Sequence, residues 1–331
     1  MSPSGFDRGE LRKMKKKICV CVPCFNEEDN VIPLAEEVMK LFDQELPQYD
    51  YMIQFIDNHS DDKTRERLEE LCQKYPDCVR AIFNSRNFKG NSALYGLLHS
   101  CGDCAVYLSA DFQDPLEKIP ELLQRWEEGY LIVAALKTKA QENPIKYRVR
   151  GIYYKLMHKY SEVGFIEQFC NFGVYDKKFL DIIRGLKNPN YSIRCNVAEY
   201  GYNICYVEYE QHARRSGYSK YNVFGLFNIA ITNFIDYTDI LLKAAVFIGG
   251  FGFFVCFIIA IIFLIRKLLN WSEYAMGVAP ILIGVFFVGA LNMFLLGIIG
   301  EYILSVRKQV KDSPLVIEEK RMNFHDEKQD L

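Results

Sequence analysis

The sequence predicts an α/β domain on a mainly parallel sheet, followed by a pair of membrane-spanning helices. Three observations carry that expectation. From Ile18 to Ala135, short apolar runs alternate with segments of helical periodicity. A cluster of polar residues follows each of the first four runs. Further on, Ala244–Ile265 and Ala275–Gly300 contain no charged residue, and each exceeds the roughly 20 residues a helix needs to cross a bilayer core.

The elements follow in order. A first strand is predicted at Ile18–Pro23, and Val31, Leu34, Val38, Leu41 and Phe42 then fall on one helix face. Further strands are predicted at Met52–Asp57, Val79–Phe83, Ala105–Ser109 and Leu131–Ala135. Helices near Lys63–Tyr75, Ser92–Ser100 and Leu116–Glu128 separate them. This βαβ rhythm implies a parallel sheet covered on both faces. Cys101 and Cys104 form a CxxC pair with no second pair or clustered histidine to complete a zinc site, and Gly102-Asp103 between them reads as a helix-to-strand turn.

The two uncharged stretches form a hairpin, because Arg266–Tyr274 between them is too short for a domain. Phe, Ile and Leu cover every face of both helices, which leaves no polar stripe. Between Tyr221 and Tyr237, Val223, Phe224, Phe227, Ile231 and Phe234 fall at helical spacing, which fits an interfacial helix and equally a core helix of a soluble domain. The expected organisation is a basic N-terminal segment (1–17), an α/β domain (18–220), an interfacial amphipathic helix (221–239), two membrane helices within 240–304 (about 244–265 and 276–300), and a tail (305–331).

Composition narrows the function classes. The 331 residues carry 40 Lys+Arg against 42 Asp+Glu, and half are apolar. That excludes a disordered chain and gives no electrostatic reason to expect a nucleic-acid partner. Met1–Lys17 lacks the apolar core of a signal peptide, so the large domain is expected to stay in the cytosol. Arg214, Arg215, Lys220 and Lys243 precede the first span, and Arg307, Lys308 and Lys311 follow the second, against Arg266 and Lys267 in the turn. The bias places both termini in the cytosol of an integral protein of the inner, or cytoplasmic, membrane. An odd count of 11 scattered cysteines fits that reducing side.

In a parallel sheet the ligand crevice lies beyond the carboxyl ends of the strands. There the chain places Pro23-Cys24-Phe25-Asn26-Glu27-Glu28, Asp57-Asn58-His59-Ser60-Asp61-Asp62, Asn84-Ser85-Arg86-Asn87-Phe88-Lys89-Gly90 and Asp111-Phe112-Gln113-Asp114-Pro115. Taken singly, Asn26, Asp57, Ser60, Asp62 and Asp114 are residue types that cap helices and close turns. Together they gather acceptors, carboxylates and an arginine at a sheet mouth with no glycine-rich phosphate loop, which leaves a metal as the device for holding phosphate. Asp111 and Gln113 offer hard oxygen ligands suited to Mg2+ or Mn2+; an Asx turn at Asp111 is the competing reading.

Pro23-x-Phe25-Asn26-Glu27, Asp57-Asn58-x-Ser60-x-Asp62, Arg86-Asn87-Phe88 and Ser109-Ala110-Asp111-Phe112-Gln113-Asp114-Pro115 resemble, in order and spacing, the family 2 glycosyltransferases of GT-A fold. Within them the chain is similar to the polyisoprenyl-phosphate glycosyltransferases, through Arg214-Arg215-Ser216-Gly217-Tyr218-Ser219-Lys220, the paired spans and Gly300-Glu301-Tyr302. The resemblance implies that Pro23, Phe25, Glu27, Asp57, Arg86, Ser109 and Asp111 bind the nucleotide and that Asp111 and Gln113 hold the metal. It implies that Arg194, Arg214, Ser219 and Lys220 receive the acceptor phosphate, with Asp111, Gln113, Arg194, Arg214 and Lys220 forming the catalytic set. A homotetramer joined through the membrane helices is also implied. Three positions depart from the family: Ser109 replaces the first carboxylate of Asp-x-Asp, His59 stands where Gly is common, and Asn171-Phe172-Gly173 replaces Phe-Arg-Leu.

The expected reaction is inverting, metal-dependent transfer of one hexose from a nucleotide diphosphate sugar, UDP-glucose or a related UDP-hexose, to undecaprenyl phosphate at the cytosolic face. An anionic phosphate oxygen needs a cationic cradle and no strong base. Two alternatives stand beside it. A glycan or lipid hydroxyl acceptor would require a carboxylate base such as Asp114, and an inactive nucleotide-sugar-binding membrane regulator would account for Ser109.

Overall fold

Lys17–Cys24 (β1) is fully buried from Ile18 to Val22, which only a central strand covered on both faces allows. In the computed structural model, which describes residues 15–138, 168–187, 192–212, 278–310 and 314–324 with isolated positions between, β1 lies inside an eight-stranded sheet. The other strands are β2 (Asp50–Asp57), β3 (Val79–Asn84), β4 (Cys104–Tyr107), β5 (Ile132–Lys137), β6 (Phe169–Asp176), β7 (Ile204–Tyr209) and β8 (Glu318–Met322). Their spatial order is β7-β5-β6-β4-β1-β2-β3-β8.

β1 pairs in parallel with β2, from Lys17↔Asp50 to Cys24↔Asp57, and with β4. β2 is parallel to β3, and β5 to β7. β6 runs antiparallel to β4 and β5, and β8 antiparallel to β3. The predicted strands and helices of the first 135 residues all form, with ends shifted by a few residues.

Helices α1 (Val31–Glu45), α2 (Thr64–Lys74) and α4 (Ile119–Glu127) cover one face through Leu34, Phe42, Leu68, Leu122 and Trp126, against Val20 and Val22 of β1. Helices α3 (Gly90–Leu98), α5 (Lys177–Arg184) and α6 (Ile193–Tyr200) cover the other through Leu94, Leu97, Phe179, Ile183 and Val197, against Cys19 and Cys21. The period-two alternation along β1 thus feeds two cores. The expected turn between Cys101 and Cys104 forms: Gly102 has φ +94°, and a Cβ there would lie 2.3 Å from the Lys17 carbonyl oxygen.

The chain divides into two compact units, one of residues 1–142, 166–218 and 313–331 and the other of 143–165 and 219–312. Helix α7 runs unbroken from Val278 to Val310, ten residues beyond the predicted end of the second span. The predicted first span (244–265) lies, but for isolated positions, outside the described residues, as does the predicted interfacial helix (221–239). Among the residues described with their side chains, no helix is long and apolar enough to cross a membrane; α7 is described along its whole backbone and over part of its side chains. The tail (305–331) supplies β8, which pairs with β3 at the edge of the sheet.

Candidate active site

The loops after β1, β2, β3 and β4 meet at one end of the sheet because parallel strands all end on the same side. Each contains a non-glycine residue with left-handed backbone: Asn26 (φ 56°), His59 (φ 64°), Lys89 (φ 53°) and Phe112 (φ 59°). Such geometry costs about 1–2 kcal/mol per residue and concentrates where a site over-determines the chain. A glycine would hold the same backbone at position 59 without that cost; the His59 ring lies 3.3 Å from the Asn84 carbonyl.

Side chains stitch these loops together. Asn26 N–H donates to Ser60 Oγ (2.8 Å), Glu27 N–H to Thr64 Oγ1 (2.8 Å) and Asp61 N–H to Asn26 Oδ1 (2.8 Å). Asn58 Oδ1 accepts from Phe88 N–H (2.8 Å) and Asn84 Nδ2 (3.2 Å), while Asn58 Nδ2 donates to Asn87 Oδ1 (3.0 Å). Asn26 and Ser60, read singly as caps, therefore hold loop to loop, and Pro23, Phe25 and Glu27 lie half-buried along the rim.

Asp57, at the end of β2, is fully buried and accepts from Ser60 N–H at 3.2 Å. Burial raises its pKa, while the Ser60 hydrogen bonds and the Arg65 guanidinium, 3.5 Å away, pull it back down. Arg86 projects from the β3–α3 loop, exposed and stacked on Phe88 at 4.8 Å. Asp111 is buried, and its Oδ1 accepts the Gln113 N–H at 3.2 Å, as the Asx-turn reading expects.

Ser109 is otherwise engaged. Its N–H (3.0 Å) and its hydroxyl both donate to Asp114 Oδ2, and Tyr209 Oη donates to Asp114 Oδ1 at 3.2 Å. Asp114 is thus a buried anchor for the loop that follows β4. Its pKa is raised by burial and tempered by the Ser109 bonds. His212 N–H donates to the Gln113 carbonyl at 3.1 Å, fixing the loop from the far side of β7. An open cleft of about 450 Å3 lies beside it, lined by Lys118, Glu117, Glu208, Glu210 and His212 among others.

Arg194 occupies the first turn of α6, half-buried, and no hydrogen bond among the described residues joins it to the crevice. Arg214, Ser219 and Lys220 lie outside the described residues. Asn171, where the family's Phe-Arg-Leu motif is replaced, has φ 75° and a buried Oδ1 without a partner among the described residues. Arg65, Tyr209 and Thr64 were invisible in the sequence as site residues, since each reads as an ordinary helix or strand position.

One carboxylate and one amide oxygen are too few for an all-protein cation cage, and no group of three or more His, Cys, Asp or Glu converges among the described residues. They fit a cation of the magnesium kind, which takes one or two carboxylates and shares its remaining positions with substrate phosphates and water.

A mainly parallel sheet with acidic loops at its strand ends agrees with the GT-A fold that the resemblance implies. The profile of "Glycosyl transferase family 2" matches residues 19–182. Over 307 residues, 91% of this chain and 93% of the other, the sequence is 30% identical to an uncharacterized glycosyltransferase of Bacillus subtilis (strain 168). It is 29% identical over 303 residues to an SfII prophage-derived bactoprenol glucosyl transferase of Shigella flexneri, covering 91% of this chain and 97% of that protein. Among solved structures, glucosyl-3-phosphoglycerate synthase from Mycobacterium tuberculosis in complex with Mg2+ and UDP is similar at a TM-score of 0.49 and 19% identity, over 71% of this chain and 83% of that one. The chain belongs to glycosyl transferase family 2 and is an enzyme of that class.

Proposed function

We propose that this enzyme transfers a single hexose, with inversion, from a nucleotide diphosphate sugar to the phosphate of a polyprenyl phosphate at the cytosolic membrane face. A UDP-hexose such as UDP-glucose is the favoured donor and undecaprenyl phosphate the favoured acceptor. The reading is carried by one observation: the residues Asp57, Arg86, Asp111 and Gln113 stand at or just after the ends of the parallel strands β2, β3 and β4, on one side of the sheet, in a chain that aligns along nearly its whole length with a bactoprenol glucosyl transferase.

Asp57 and the rim residues Pro23, Phe25 and Glu27 hold the nucleoside, and Arg86 stands beside its phosphates. Asp111 and Gln113 hold a divalent cation, Mg2+ or Mn2+, which when bound supplies Lewis-acid relief of charge on the leaving diphosphate. The acceptor already carries an anionic oxygen at neutral pH, so the protein's task is to orient it in line with the sugar C1. Bond formation there, with departure of the nucleoside diphosphate from the opposite face, inverts the anomeric centre. Arg194, Arg214, Ser219 and Lys220 are proposed to cradle that phosphate.

The two uncharged stretches are proposed to anchor the chain in the cytoplasmic membrane, with segment 221–239 at the interface and both termini in the cytosol. On α7, Ile281, Val285, Leu296 and Ile303 are each more than 60% exposed, a surface that calls for apolar surroundings. Assembly as a homotetramer through these helices belongs to the same proposal. Against a hydroxyl acceptor stands the state of Asp114, whose two oxygens are already occupied by Ser109 and Tyr209.

The test is release of UDP or GDP from a panel of nucleotide sugars, in detergent with Mg2+ or Mn2+, with and without undecaprenyl phosphate. Turnover of one donor that requires both lipid phosphate and metal is the expected result. Release indifferent to the lipid would move the acceptor to a hydroxyl; nucleotide binding without any turnover would make the chain a regulator.

A further inference from the structure

The segment Leu315–Met322 reaches the donor crevice from the far end of the chain. Ser85 N–H and Oγ both donate to the Ile317 carbonyl, at 3.0 and 2.9 Å, and Asn91 Nδ2 donates to the Leu315 carbonyl at 3.0 Å. These anchors bracket Arg86-Asn87-Phe88. In the first turn of α2, Arg65 Nη2 lies 2.7 Å from Glu319 Oε2, while Nε of the same guanidinium lies 3.5 Å from Asp57 Oδ2. The first distance is a charge-assisted hydrogen bond; the second is too long for one.

We propose that Leu315–Met322 is a positioning element of the donor site: Glu319 holds Arg65 short of closing on Asp57, and the Leu315 and Ile317 carbonyls fix the loop that carries Arg86. Affinity for a nucleoside diphosphate then depends on tail residues outside the strand-end loops. This rests on the donor reading given above.

The physical case is competition for Asp57. Its buried carboxylate has few acceptor sites, Ser60 N–H already uses it, and Arg65 is the cation beside it. Glu319, half exposed, draws the guanidinium the other way, and Phe83 under Arg65 at 5.5 Å restricts where it can go. With Glu319 removed, Asp57 is the carboxylate partner left to Arg65 among the described residues, and the guanidinium occupies oxygens the nucleoside needs. Glu319 therefore acts through Arg65 and touches no nucleotide.

The experiment titrates UDP and GDP, with Mg2+, into the full chain in detergent, comparing wild type with Glu319→Ala, Glu319→Asp, Arg65→Ala and the double variant Arg65→Ala/Glu319→Ala. The expected result is a Kd about 2- to 5-fold higher in Glu319→Ala, the size of a partly exposed ion pair. Glu319→Asp should restore binding, Tm should stay unchanged, and the donor KM should rise without a fall in kcat. The double variant should bind as Arg65→Ala does, because Glu319 has nothing to act on once Arg65 is gone. Reciprocally, nucleotide should slow amide exchange in Glu318–Met322.

Unchanged Kd in Glu319→Ala, or an effect that simply adds to that of Arg65→Ala, would overturn the role of Glu319. Should Glu319→Ala lower Tm, Ser85→Ala tests the other anchor by the same titration. If wild type binds neither UDP nor GDP, the donor reading itself fails, an outcome distinct from normal wild-type binding with indifferent variants.

Discussion

Asp114 is 5% exposed, and three donor groups converge on its two oxygens. Burial raises its pKa, so protonation favours the folded state: that contribution is complete below the ordinary value of 3.8 and is lost as pH rises through the folded value. Asp114→Asn removes the titration, and the Tm difference between this variant and wild type should widen in the variant's favour from pH 4 to pH 7 in thermal melts. Its turnover should stay within about tenfold of wild type, whereas loss of a general base costs about 100-fold or more. Asp111→Ala, by contrast, should lose at least about 100-fold in kcat with the fold intact by circular dichroism. His59 makes a third case. Its φ of 64° disfavours β-branched side chains, so His59→Val should destabilise by about 1–2 kcal/mol while His59→Gly stays near wild type, read by chemical denaturation.

The elements are held in place by close backbone approaches as much as by apolar area. β6 runs between β4 and β5, and a Cβ at Gly173 would lie 2.2 Å from the Val133 carbonyl oxygen. Backbone cannot swing aside as a side chain can, so Gly173→Ala should cost about 1–3 kcal/mol and lower Tm by several degrees. Because β6 faces β4, the same substitution should weaken metal-dependent nucleotide binding in a titration with Mg2+. The strand itself escaped sequence reading: Phe169–Asp176 mixes a left-handed Asn171 with a register shift between Ala134 and Leu136 on β5, which breaks the period-two pattern that reveals strands. β8 escaped for another reason, since Glu318-Glu319-Lys320-Arg321-Met322 is a charged edge strand with no apolar face.

At the scale of the whole chain, the proposed anchoring predicts that the protein stays in the membrane pellet after alkaline carbonate washing and is released by detergent, as read by immunoblot of the fractions. Release by carbonate alone would replace the spanning hairpin with a peripheral attachment. The relatives align along nearly the full length of this chain, the two uncharged stretches included.

The sequence by itself determined the strand–helix alternation to residue 135, the gathering of Asp57, Arg86, Asp111 and Gln113 at one sheet end, and the family. These are local signals: periodicity sets each element, and parallel pairing then forces the strand ends together. Only the tertiary structure decided that Ser109 binds Asp114, that Tyr209 completes that anchor, and that Asn91 meets Leu315 across 224 residues of sequence. Contacts of that kind depend on which strand lies beside which, and edge pairing by a short charged segment leaves no pattern in the residues that make it.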